Sequence, residues 1–291
     1  MDKVLLILFC ITAGLLLRRF KILPENSYKT VNELLVNFFM PALILLQITE
    51  LRFSNKYIFP ILVAWIVFAV AFVFFVLVGK LKRFPPKTIA ALIITGGISS
   101  TSFVGFPIFE LLYGKEGLQI AILMSQAGSF LIGITLGVAV AAWHSSDAPS
   151  IKAVINNVFR FPPFIAFIVA VTLNISGIHF PKFIDDTLAI ISAPFSVLAL
   201  LSVGLQINLT GEDLEAPKLV VGLLYKLILA PGLIFLLYHF AFRQSMLITS
   251  ISVMGAAIGP MNTAAIIAGK YNLNSKLASN MVAVGIPLSL P

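Results

Sequence analysis

Between Gly96 and Gly117 the chain reads GGISSTSFVGFPIFELLYGKEG, a polar, kinked stretch inside a long apolar run. It holds two glycines, then Ser99, Ser100, Thr101 and Ser102, then Gly105 and Pro107. Proline has no amide to donate, and its ring clashes with the preceding helical turn. Glycine loosens the backbone. A helix of this sequence breaks. In hydrocarbon, the carbonyls and amides freed by a break must be covered by protein or line a polar cavity. The chain does this twice. Residues 253–273 read VMGAAIGPMNTAAIIAGKYNL, with Gly259 and Pro260 inside a second apolar span. Any fold for this chain has to shelter two helix breaks at membrane depth.

That the surroundings are hydrocarbon follows from composition. Of the 291 residues 59% are hydrophobic and only 11% charged, where soluble domains carry about 25%. The chain is read as an integral membrane protein embedded in a lipid bilayer. Its single cysteine, Cys10, leaves no internal disulfide. The net charge of +8 is not read as a nucleic-acid signal, because the lysines and arginines sit in loops, where they set orientation. The first residues are read as a membrane span and not as a signal peptide. Their charged run (Arg18, Arg19, Lys21) follows the apolar stretch, and no A-x-A site appears.

A span needs about 20 apolar residues. Ten stretches qualify, near 3–19, 30–49, 57–79, 88–113, 117–142, 159–177, 183–207, 219–241, 244–269 and 275–291. The fourth and ninth are the broken ones. With both termini outside the plasma (inner) membrane, thirteen lysines and arginines fall in cytoplasmic loops and six in outer ones. The halves echo each other. Pro41 in NFFMPALILL matches Pro194 in ISAPFSVLALL, and Pro107 matches Pro260, both pairs 153 residues apart. Five spans is an odd number, so the two copies run in opposite orientation. The expected fold class is all-α integral membrane, with ten transmembrane helices in two inverted five-helix repeats. Residues 1–142 form the first repeat, 143–158 a cytoplasmic connecting loop, and 159–291 the second repeat. Inverted repeats with discontinuous helices characterise secondary transporters with a midplane site.

Several segments resemble the auxin efflux carrier family. They are FMPALIL at 39–45, TSFVGFP followed by LLYGKEGL in the fourth span, RFPPFIAFIVA at 160–170, and AIIAGKYNL at 265–273. The resemblance covers the whole chain in order. It implies a fold like that of bile-acid sodium symporters, with helices four and nine crossing at their breaks. Spans one, two, six and seven would form a scaffold and homodimer interface. The rest would move substrate in an elevator-like step. It further implies a small carboxylate as substrate, such as malonate, malate or auxin. The chain departs from the family pattern at Ser100, where asparagine is common, at Ser102, where glycine is, and at Arg160–Phe161, where asparagine is expected.

From the residues themselves, Ser99, Ser100, Thr101 and Ser102 offer hydroxyls at the first break. Asn262 and Thr263 offer an amide and a hydroxyl just past the second. Asn37, beside Pro41, and Gln126 in the fifth span are further substrate-binding candidates. Gly105, Pro107, Gly259 and Pro260 are the expected helix-break residues. Half-helices starting near Pro107 and Met261 would each present a positive N-terminal end, suited to an organic anion. Glu110, one turn past Pro107, is the candidate for ion coupling, by Na+ or H+. Lys226, in the eighth span, either snorkels, pairs internally or is functional. Gly133 and Gly137 are read as a close-packing face inside the monomer.

No metal site and no cofactor are expected. His144, His179 and His239 lie in loops or at span ends, without a nucleophile to activate, so an enzyme reading has little support. The expected function is secondary active transport of a small organic anion. The alternative is a sodium-coupled symporter of bile-acid-symporter type importing such an anion.

Overall fold

The computed structural model describes residues 2–24, 26–143, 156, 158–207 and 215–290. The expected connecting loop at 143–158 lies almost wholly outside them. Its helices in chain order are α1 (Asp2–Arg19), α2 (Ser27–Thr49), α3 (Asn55–Leu81), α4 (Pro86–Gly97) and α5 (Thr101–Trp143). They continue with α6 (Pro162–Ile175), α7 (Lys182–Gln206), α8 (Ala216–Ala241), α9 (Met246–Ala257), α10 (Asn262–Lys270) and α11 (Ser275–Leu288). Among the described residues the only strand-like pairing is a single antiparallel bridge.

Among the described residues five helices (α2, α3, α5, α7 and α8) are long and apolar enough to cross a membrane. The breaks explain why others fall short. The two half-helices α4 and α9 have 12 residues each and α10 has 9. At 1.5 Å per residue each covers about 18 Å or less of a hydrocarbon layer about 30 Å thick. Conversely, the 43 residues of α5 take in parts of two expected spans, turning at Gly114 (φ 67, ψ −151). Large apolar side chains such as Phe9, Leu77, Phe183 and Ile190 are exposed, as befits helices whose solvent is lipid.

Prolines shape the helices without always breaking them. Three π-helical turns, Leu35–Phe39, Thr101–Gly105 and Tyr225–Leu229, each end two residues before a proline: Pro41, Pro107 and Pro231. A wider turn relieves the clash between the ring and the carbonyl a turn earlier, and leaves the missing amide without consequence. Gly105 and Pro107 are therefore helical, and the first break lies upstream at Ile98–Ser100.

The chain forms two compact units, each drawing on both sequence halves. Unit 1 comprises 1–54, 102–122 and 156–207; unit 2 comprises 55–101, 123–155 and 208–291. In unit 1, α1 packs on the second half of α7 and α2 packs on α6. The first contact is glycine on glycine. A Cβ on Gly14 would stand 2.2 Å from the Leu201 carbonyl oxygen, and one on Gly204 would stand 2.1 Å from that of Ile11. The second is fastened by Asn174 of α6, whose Nδ2 donates to the carbonyls of Ile48, Thr49 and Leu51 at 2.8–2.9 Å. These carbonyls lie at the end of α2 and just past it, where helical partners run out; that of Ile48 also accepts from the Leu51 amide at 3.2 Å.

In unit 2, α3 packs on α4, α8 and α9. Its backbone and side chains are tied on several sides. Tyr225 Oη donates to the Val67 carbonyl and Tyr238 Oη to that of Phe59, both at 2.6 Å. Trp65 Nε1 donates to the Ala127 carbonyl at 3.1 Å. A Cβ added to Gly137 would stand 3.0 Å from Cδ1 of Ile98, so this glycine packs inside the monomer.

Candidate functional site

Unit 2 brings the two breaks together. Ile98 leaves α4 in an extended conformation (φ −119, ψ 118). Ile258 leaves α9 (φ −54, ψ 134) and Met261 enters α10 (φ −71, ψ 134), both extended. The two short segments run antiparallel with Ser99 opposite Pro260. The Ser100 amide donates to the Gly259 carbonyl at 2.9 Å, and the Met261 amide to the Ile98 carbonyl at 3.0 Å. Backbone groups released by the breaks have no water to turn to, so they satisfy each other. Pro260 occupies the position of the bridge that needs no donor. Room for the crossing depends on small residues of α11. A Cβ on Gly259 would meet the backbone of Gly285 and Ile286 at 2.7–2.8 Å, and one on Gly285 would meet Pro260 Cδ at 2.7 Å.

The helix ends at the crossing are electrically asymmetric. Residues next to the bridge open α5 at Thr101 and α10 at Asn262. Each N-terminus carries about half a positive charge. The starting points differ from the expected Pro107 for α5, because the break precedes the π turn, and match Met261 for α10 to within one residue.

The side chains around the crossing are polar and enclosed. Ser99, Ser100 and Thr101 are all buried. Thr101 Oγ1 and Ser129 Oγ share a hydrogen bond at 3.2 Å. Lys226, on the π turn of α8, has no exposed surface, and its Nζ donates to Ser99 Oγ at 2.6 Å. Gln126 is equally buried, and neither its oxygen nor its nitrogen has a hydrogen-bond partner. Asn262 is half-buried and Thr263 exposed in the first turn of α10.

Of the residues expected at the site, Ser99, Ser100, Thr101, Gly259, Pro260, Asn262, Thr263 and Gln126 belong to unit 2; Asn37, Ser102, Gly105, Pro107 and Glu110 belong to unit 1. Asn37 is exposed, and its Nδ2 donates to the Glu33 carbonyl one turn back at 2.8 Å. Glu110 is half-buried and accepts a hydrogen bond from Ser196 Oγ.

Sequence reasoning passed over Ser129 and did not join Lys226 to the crossing. The signal for Ser129 was its spacing of three from Gln126, which puts both on one helix face. The separate cavity of about 690 Å³ in unit 2, with Phe72, Ile93, Val140 and Trp143 in its wall and Lys80 and Arg83 among its lining, is mainly apolar.

An all-helical membrane protein with polar groups enclosed at two paired helix breaks has the makings of a membrane transporter. The profile of the family described as "Membrane transport protein" matches residues 1–291, and the chain belongs to that family, the auxin efflux carriers that its motifs resemble. Its relatives span the chain. The uncharacterized transporter MJ1031 of Methanocaldococcus jannaschii is 23% identical, covering 100% of this chain and 95% of its own length. An uncharacterized transporter of Methanothermobacter thermautotrophicus is 26% identical, covering 99% and 94%. The uncharacterized transporter YfdV of Escherichia coli is 24% identical, covering 90% and 85%. The family is one of transporters and not of enzymes.

Proposed function

We propose that this protein is a secondary active transporter of a small organic anion, a carboxylate, bound where the two broken helices cross. The observation that carries the reading is the bridge between Ser99 and Pro260. It gathers two half-helix N-termini and the buried hydroxyls of Ser99, Ser100 and Thr101 at one place. Positive helix ends stabilise an anion that hydrocarbon would otherwise reject.

Ten spans in two inverted repeats, in the manner of bile-acid symporters, belong to the same reading. Packing supports it by exchange. The first span packs on the seventh and the second on the sixth; the third packs on the ninth and the fourth on the eighth. A two-fold relation that maps each span five places on produces these pairs. The unit boundaries after Ser54 and Ile207 also stand 153 residues apart, the offset of the paired prolines.

Unit 1 contains α1, α2, α6 and α7, the four spans expected as scaffold, together with 102–122 of α5, and unit 2 contains the bridge between the breaks. An elevator step would carry the crossing between the two faces of the inner membrane. The termini would lie outside and a homodimer would form through the scaffold.

The test is uptake of labelled malonate, malate and indole-acetate into proteoliposomes, with and without sodium or proton gradients, by wild type, Asn262→Ala and Ser100→Ala. Saturable flux, reduced in both variants, is the expected result, and its gradient dependence separates exporter from sodium symporter. Normal flux in both variants would move the site away from the crossing. Absence of flux for every carboxylate would refute the anion reading.

A further inference from the structure

We propose that Lys226 is the residue by which this transporter selects a negative charge: its ammonium holds the substrate carboxylate at the crossing, with the Gln126 amide as a neutral second donor. The inference rests on the crossing being the substrate site.

Lys226 lies deep in α8, ten residues from Ala216 and fifteen from Ala241. At 1.5 Å per residue the nearer end is about 15 Å away. A lysine side chain reaches only about 6 Å along its four-carbon stem, so its head does not snorkel to an interface. Its surface is completely enclosed, and its hydrogen-bond partner is the neutral Ser99 hydroxyl. Among the described residues it has no carboxylate within ion-pair distance. An ammonium has three N–H donors, and Ser99 takes one. Burial of a charge without a counter-ion is strongly unfavourable, and an anion delivered by transport supplies that counter-ion.

Gln126 adds an independent observation. It has no exposed surface, and both polar atoms of its amide lack partners. Three residues on, Ser129 touches Thr101, two positions from the Ser99 that Lys226 holds. The neighbours of both residues are tied to α3: the Ala127 carbonyl accepts from Trp65, and Tyr225 donates to the Val67 carbonyl. A carboxylate has two oxygens, one for the ammonium and one for the amide, and binding it would give the first a counter-ion and the second a partner.

The experiment compares wild type, Lys226→Met and Gln126→Leu in proteoliposomes, using malonate, malate and indole-acetate with their neutral methyl esters as competitors. Melting temperature is measured in parallel. For Lys226→Met the expected result is a loss of about a hundredfold in kcat/KM for the anion, loss of the preference for acid over ester, and an equal or higher melting temperature. The higher melting temperature sets this role apart from a structural one, because methionine removes an unpaired buried charge. Gln126→Leu is expected to raise KM and keep the preference for acid over ester. Wild-type flux that survives Lys226→Met with its acid preference intact overturns this inference and leaves the carboxylate reading standing. A melting temperature that falls together with activity assigns Lys226 to structure and also overturns it. Wild type that moves no carboxylate overturns both.

Discussion

Gly259→Ala tests whether the two breaks pack as closely as the bridge implies. The added Cβ would lie 2.7 Å from Ile286 Cα and 2.8 Å from the Gly285 oxygen and the Ile286 nitrogen. All three are backbone atoms, so no side chain can rotate aside. Restoring ordinary contact, about 3.4 Å, requires α11 and the crossing to separate by roughly 0.7 Å. Overpacking of this kind costs about 1–3 kcal/mol.

The carbonyl of Gly259 also accepts from the Ser100 amide at 2.9 Å. Orphaning that pair in a water-free layer adds about 1–3 kcal/mol. The sum, about 2–6 kcal/mol, corresponds to a fall in melting temperature of roughly 5–20 °C. The measurement is thermal unfolding of the purified protein in detergent, beside transport in proteoliposomes. Gly269→Ala is the control, because nothing lies within 4 Å of its Cβ position, and alanine gains about 1 kcal/mol of helix propensity. Gly259→Ala should melt lower and Gly269→Ala no lower than wild type. Equal stability and equal transport for Gly259→Ala would refute the close approach of α11 to the second break.

Gly14→Val and Gly204→Val each push a side chain into a carbonyl 2.1–2.2 Å away. Both are expected to abolish a monodisperse peak in size-exclusion chromatography. Asn174→Ala removes the amide donor shared by three carbonyls at and just past the end of α2 and should lower stability by about 1–3 kcal/mol, measured as a fall in melting temperature. Glu110→Gln retains an acceptor for Ser196, so melting should change by less than about 0.5 kcal/mol. Under the ion-coupling role proposed for Glu110, it should abolish gradient-driven accumulation and spare exchange. Unchanged accumulation would remove Glu110 from coupling.

The membrane setting and two helix interruptions were legible in the sequence, because apolar length and the chemistry of glycine and proline act locally. Gly259 and Pro260 were recognisable for that reason. Pro107 misled for an equally physical one. A proline's steric conflict can be absorbed by a π turn, and Thr101–Gly105 absorbs it, so the chain stays helical there and opens at Ile98–Ser100 instead. No local pattern separates these two outcomes, since the choice depends on where the freed amides and carbonyls find partners. For Ser100 and Ile98 those partners lie at Gly259 and Met261, about 160 residues along the chain.

Lys226 shows the same division. Its charge inside an apolar span was visible, and so was the expectation that such a charge snorkels, pairs or acts. Its actual place against Ser99 depends on α8 packing beside the first break. That is long-range geometry, set by α3 binding Tyr225 through the Val67 carbonyl. The sequence alone determined that this chain lives in lipid, breaks two helices and belongs with membrane transporters. Tertiary structure decided which backbone groups meet at the crossing and which buried charge stands beside it, because a hydrogen bond is satisfied by proximity in space and not in sequence.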